Sequence, residues 1–196
     1  MNRRLLVLSL LAAFLIGWAL LARMGDGEPI DAPPALTAAE LAALPATLEG
    51  DMRMMEEVRR RCGGDPDRWR KLPEAARTVY ATLWAEEVHR TVTWAQRAGT
   101  DRVEPGDPTF EEVAAAYGQL DCPETAQAVL ALGKPFDETA AAFLAWAQER
   151  SGGRTTPPPA TRPLDAAAKA AFSRLDRVRP QRLAFVRANA ETLGIR

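Results

Sequence analysis

Histidine is almost missing from this chain: His89 is the only one among 196 residues. That excludes the di-iron helix bundle, which needs two Glu-x-x-His steps and two further glutamates; Glu86-Glu87-Val88-His89 supplies one step and no second. Cysteine is nearly as scarce, with Cys62 and Cys122 alone and no Cys-x-x-Cys pair. No glycine-rich phosphate loop and no nucleophile elbow occurs. β-Branched residues are sparse, whereas alanine is abundant and proline and glycine fall in clusters, a mixture that favours helices joined by short turns. No metal or other cofactor is expected from these residues.

Charge is also nearly absent as a net quantity, at −1, but it is unevenly spread. Residues 24–164 carry 15 basic and 23 acidic side chains, and residues 165–196 carry seven and three. Nucleic-acid binding shows as a clustered positive stripe, which this chain lacks, so no nucleic-acid partner is expected.

One long apolar run is present. Leu5 to Ala22 holds no charge and is bounded by Arg3 and Arg4 before it and Arg23 after it. Roughly 20 apolar residues cross the hydrocarbon of a bilayer as a helix, and Arg23 can extend the reach by snorkelling. Residues 1–24 are therefore expected to be a signal anchor, inserted in the inner membrane as a single pass. The amine and Arg3–Arg4 before the run, against acidic Asp26, Glu28 and Asp31 after it, place the following domain outside, in periplasm or cell exterior. The rival reading is secretion after cleavage at the small residues Gly17-Trp18-Ala19, which sit inside the apolar run.

Residues 25–36, with Pro29, Pro33 and Pro34, read as a tether, and residues 37–196 as the domain. Thr37 and Glu40 form a capping box for a helix that ends at Pro45, followed by a helix over about 46–61. The longest helix is expected from Pro73 to Arg97. Asp107-Pro108 opens another to about Leu120, Cys122-Pro123 one that Gly133 ends, and Asp137 one carrying Phe143 and Trp146. Residues 151–163 read as a flexible Pro/Gly-rich loop, and two helices broken at Pro180 follow. The fold class is all-α: a transmembrane helix plus a compact bundle of six or seven short helices.

Within the central helix, Tyr80, Trp84, Glu87, Thr91 and Trp94 recur at spacings of 4, 3, 4 and 3 and so share one face. Glu87 then interrupts an aromatic stripe facing the core, where a carboxylate needs a partner. It is read either as a structural glutamate bonded to an arginine or a helix N-terminus, or as a catalytic base acting with His89 and Tyr80. The first is the commoner arrangement, and an enzyme is the less favoured reading. Met52, Met54 and Met55 read as adaptable core packing before soft-metal ligands. Arg59–Arg61 suit a helix C-terminus. Cys62 and Cys122 are a candidate disulfide if the domain is exported, worth about 4 kcal/mol by loop closure, or two separate thiols if it is not.

Leu72-Pro73, Val79-Tyr80, Trp84 and Glu87-Val88 together resemble the opening of the DNA-mimic-protein domain family. That family's pattern continues as Asn-Asn-Gly-Gly-Phe, where this chain has His89, Arg90, Thr91, Val92 and Thr93. Ala128–Gly133 resembles its Ala-Leu-x-x-Ile-Gly helix end, and Phe172, Leu175, Leu183, Phe185 and Val186 resemble its closing helix pair. The resemblance spans about 70–192 and implies an all-helical, protein-binding domain. It does not bring mimicry of DNA, because residues 24–196 total 22 basic and 26 acidic side chains, only −4, too little to reproduce phosphate charge density. The expected function is a membrane-anchored helical protein-interaction module at the cell envelope. The alternatives are a cytoplasmic-type regulator related to DNA-mimic proteins and an enzyme centred on Glu87.

Overall fold

The computed structural model describes residues 36–62, 66–99, 106–152 and 156–193. The expected anchor (residues 1–24) and nearly all of the expected tether lie outside them. Leu36 is the exception. Its N–H donates to Glu57 Oε2 at 3.2 Å and its side chain packs on the core, so it belongs to the domain.

Among the described residues the chain is entirely helical: α1 (Ala38–Ala42), α2 (Leu48–Cys62), a 3₁₀ turn (Pro66–Lys71), α3 (Glu74–Thr91), α4 (Trp94–Gly99), α5 (Phe110–Gln119), α6 (Pro123–Ser151), α7 (Arg162–Ala171) and α8 (Leu175–Ala188). None of these helices is long and apolar enough to cross a membrane.

The helix starts follow local chemistry. The Thr37–Glu40 capping box forms as expected, and a second one, Thr109 with Glu112, opens α5. The joints differ from expectation in three places. The central helix is cut at Val92, which is extended (φ −135°, ψ 139°). Thr91-Val92-Thr93 crowds χ1 against the preceding turn, and Thr93 then caps α4 by exchanging hydrogen bonds with Gln96. The expected stop at Gly133 is absent, and α6 runs through Gly133 and Pro135 to become the longest helix. Gly133 lies within the helix beside the Phe110 ring, where a Cβ would make ordinary contact at 3.4 Å. Pro135 forfeits one helical bond, while its carbonyl takes a hydrogen bond from Thr139 Oγ1 at 2.7 Å. The last break falls at Phe172–Arg174, and Pro180 lies inside α8.

α3 is the axle of the domain. Twelve of its 18 residues are buried, on all sides, because α2, α5, α8 and the 3₁₀ turn surround it. α6 packs on α4, α5 and α7 through Thr125, Val129, Leu132, Phe136 and Thr139, spaced 4, 3, 4 and 3. Beyond Thr139 no α6 residue is buried.

Candidate functional site

The buried carboxylate of α3 is Glu86, not Glu87. One residue is about 100° of helical rotation, enough to move a side chain from the core to its rim. Glu87 keeps 29% of its side chain exposed and accepts a two-pronged grip from Arg59 of α2, at 2.7 and 3.3 Å. His89 is half-buried, stacked on Phe172 (4.6 Å, 22°), and burial lowers its pKa. Tyr80 stacks on Trp69 (5.2 Å), and burial raises its pKa first of all. The three residues expected to act together thus have separate partners: Arg59, Phe172 and Trp69.

Glu86 belongs to a different assembly. Arg182 of α8, with none of its side chain exposed, spends all three guanidinium nitrogens on it and its neighbours. Nη2 pairs with Glu86 Oε1, Nη1 with Asp51 Oδ1 of α2 at 2.7 Å, and Nε donates to Thr82 Oγ1 at 3.2 Å. Tyr117 OH of α5 donates to the same Glu86 oxygen at 3.0 Å, and Arg179 Nε to Asp51 Oδ2 at 2.9 Å. Two acids meet two guanidiniums, so the cluster is neutral and joins four helices.

Its titration follows from burial. Desolvation lifts the Glu86 carboxyl above its ordinary value, with a further push from Asp51, while Arg182 and the Tyr117 hydrogen bond pull it back. Burial raises the Tyr117 phenol well above its usual value. For Arg182 burial opposes the charge, and the carboxylates of Glu86 and Asp51 more than restore it. Neither the cleft on the last turns of α6 nor the one at the α7–α8 junction is lined by these residues. Perturbed groups signify catalysis when they line a cleft; here each faces another protein group, and what the cluster does is lock four helices together.

A second polar knot closes the start of α5. Trp69 Nε1 donates to the Gly106 carbonyl at 2.7 Å, Trp84 Nε1 to Asp107 Oδ1 at 3.0 Å and Arg70 Nη2 to the Asp107 carbonyl at 2.9 Å. Arg97 pairs with Asp107 and lies 5.0 Å over the Trp84 ring. Trp94 is the exception to this thrift. Its buried Nε1 has no hydrogen-bond partner among the described residues and sits among Phe110, Phe136 and Phe172, with Phe136 edge-on at 86°.

Cys62 and Cys122 stand as thiols and no bridge joins them, Cys62 buried and Cys122 half-buried with its pKa raised by burial. Met54 and Met55 are core residues while Met52 faces solvent, so the methionines are not gathered at one point. Arg60 and Arg61 turn back onto Glu57 of their own helix, and Arg61 also donates to the Leu193 carbonyl. No cluster of His, Cys, Asp or Glu suited to a metal occurs among the described residues.

Open clefts among the described residues include two that involve α6. One, of about 360 Å³, lies between the first turns of α6 and the α7–α8 junction, beside the Glu124–Arg174 pair. The other lies on the last turns of α6, lined by Ala145, Gln148, Glu149 and Gly152. The end of α6 also carries an exposed apolar stretch. Ala140 to Ala147 is eight residues without charge, with Leu144 53% exposed, Ala141, Ala142, Ala145 and Ala147 exposed, and Phe143 and Trp146 half-covered.

Sequence reasoning missed Asp51, Thr82, Glu86, Tyr117, Arg179 and Arg182. A signal for two of them was present: Arg182 sits midway between Val178 and Val186, and Asp51 shares a face with Met54, Met55 and Val58. A charge in the middle of an apolar stripe marks a buried pair, the test applied to Glu87 alone. No protein-family model matches this chain, and neither does any curated protein or solved structure.

Proposed function

We propose that this chain is a helical protein-interaction module held at the cell envelope by residues 5–22, with the projecting half of α6 as the surface it offers to a protein partner. The observation that carries this reading is the uncharged stretch 140–147. A 29-residue helix continues well past its last buried residue, and it does so with alanine, leucine and aromatics in place of the charges that solvate a free helix end. An apolar helix face of this kind is suited to another helix or an apolar groove.

Support also comes from how the acids are used. Glu57, Glu86, Glu87 and Glu112 are each gripped by an arginine, so their charge is cancelled where it stands. A DNA mimic would have to display that charge. The resemblance to DNA-mimic proteins therefore enters this proposal only as a helical scaffold for binding protein, and Glu87 is paired with Arg59, not with His89 or Tyr80.

The test is copurification of the full chain from crosslinked native membranes. A stoichiometric partner should accompany the wild type and be lost from the Ala141→Glu/Leu144→Glu double variant, while the melting temperature stays put. Recovery of the same partner with both, or of no partner with either, would overturn the proposal.

A further inference from the structure

The segment between α6 and α7 has a backbone largely set by its own residues. Pro157, Pro158 and Pro159 are consecutive. Each ring fixes φ near about −65°, and each residue that precedes a proline is driven out of the helical region. Thr156, Pro157 and Pro158 all precede one, so the stretch is set in the polyproline-II form by its own covalent structure. Residues 156–160 carry no helix, strand or turn.

Both ends are fastened. Trp146 Nε1 donates to the Thr156 carbonyl at 2.9 Å, and Thr156 Oγ1 to Glu149 Oε2 at 3.1 Å. Arg150 lies 5.1 Å over the same Trp146 ring. At the other end Thr161 Oγ1 donates to Asp165 Oδ2 at 2.9 Å, and its carbonyl accepts from the Asp165 N–H at 2.9 Å, which starts α7. The segment expected to be flexible is, over these residues, a strap held at both ends. Between the fastenings Pro157, Pro158 and Ala160 are exposed and Pro159 is half-buried. The carbonyls of residues 157–160 accept no hydrogen bond among the described residues.

We infer that residues 157–160 are a preformed polyproline-II ligand for an aromatic-lined groove on another protein. At about three residues per turn, Pro157 and Ala160 share one edge and Pro158 forms the next. Ridges of this shape fit slots between aromatic rings, and the outward carbonyls accept from indole or phenol donors on the groove wall. Arg162, the exposed first residue of α7, adds a cation for a carboxylate at the groove's rim. Because the conformation is set before contact, little chain entropy is lost on binding. The inference rests on the prolines and not on the α6 face, although the strap is fastened to that face at Trp146.

The experiment titrates full-length protein in detergent micelles into a fluorescently labelled WW domain and, separately, a labelled SH3 domain, two grooves that read this helix, with anisotropy as the readout. At least one should bind saturably in the micromolar range, and Pro157→Ala/Pro158→Ala should weaken it at least about tenfold. The melting temperature of the double variant should match the wild type, which separates loss of the ligand from loss of the fold. Absence of binding to both domains, or equal binding by the double variant, overturns the inference.

Discussion

Arg182 and Glu86 are 96 residues apart in the chain and share a hydrogen bond from which water is excluded on every side. Neither is tolerable there alone. Arg182→Met should leave Glu86 a buried acid without its cation and Asp51 with Arg179 alone, costing about 3–5 kcal/mol, whereas an exposed arginine such as Arg177 should be replaceable at less than about 0.5 kcal/mol. Urea unfolding of the two variants measures the contrast. Near-equal losses would mean that the cluster is better hydrated than its burial implies.

The same cluster shapes stability against pH. Because the folded Glu86 carboxyl titrates above its ordinary 4.5, the native state holds a proton there that the unfolded chain has released. Stability therefore falls as pH rises from 4.5 through the raised value. Glu57 and Glu112 act the other way. Their pKa values are lowered, burial working against the shift and hydrogen bonds from Arg60, Arg61 and Arg70 outweighing it. Their contribution is lost as pH falls below 4.5. Melting temperature followed from about pH 3 to about pH 8, an interval of roughly five units around these values, should show a descending upper limb in the wild type that Glu86→Gln flattens.

Glycine-to-alanine substitutions in helices should split by sign according to what the new methyl meets. At Gly50 a Cβ would sit 2.0 Å from the Pro45 carbonyl oxygen, so Gly50→Ala must displace backbone and should cost about 2 kcal/mol or more. At Gly118 nothing lies within 4 Å, and Gly118→Ala should stabilise by about 0.5–1 kcal/mol. Thermal melts of the pair are sufficient. Two changes of the same sign would show that α2 and Pro45 can separate freely.

Thiol chemistry discriminates the two readings of the cysteines. Burial raises the Cys122 thiol and encloses Cys62, so native protein should alkylate slowly at Cys122 and at Cys62 only on unfolding. Mass spectrometry after denaturing alkylation should find two modified sites. Protein from an oxidising compartment that accepts none without reductant would show that the chain rearranges to form the bridge.

What could be read from the sequence was mostly local. The Thr37–Glu40 capping box, the helical character and the stop before Pro45 depend on neighbours within a few residues, and all are present. What depends on distant packing was not legible. Gly133 looks like a terminator until Phe110 is found against it, and Pro135 looks like a breaker until the rest of α6 is seen to carry it. Glu86 and Glu87 are indistinguishable by type, and an aromatic pattern assumed to run on to Trp94 chose the wrong one, because the helix ends at Thr91 and Trp94 belongs to α4. The partners that settle the matter, Arg182 and Arg59, lie on other helices.

The order in which the chain is made gives the Arg182 cluster a temporal meaning. α2 and α3 leave the ribosome carrying Asp51 and Glu86, while the guanidiniums that neutralise them arrive only with α8. Until then, closing α2 onto α3 would bury two acids without a cation, which disfavours early collapse of that face. The arrival of α8 is thus what makes closing α2 onto α3 electrostatically favourable.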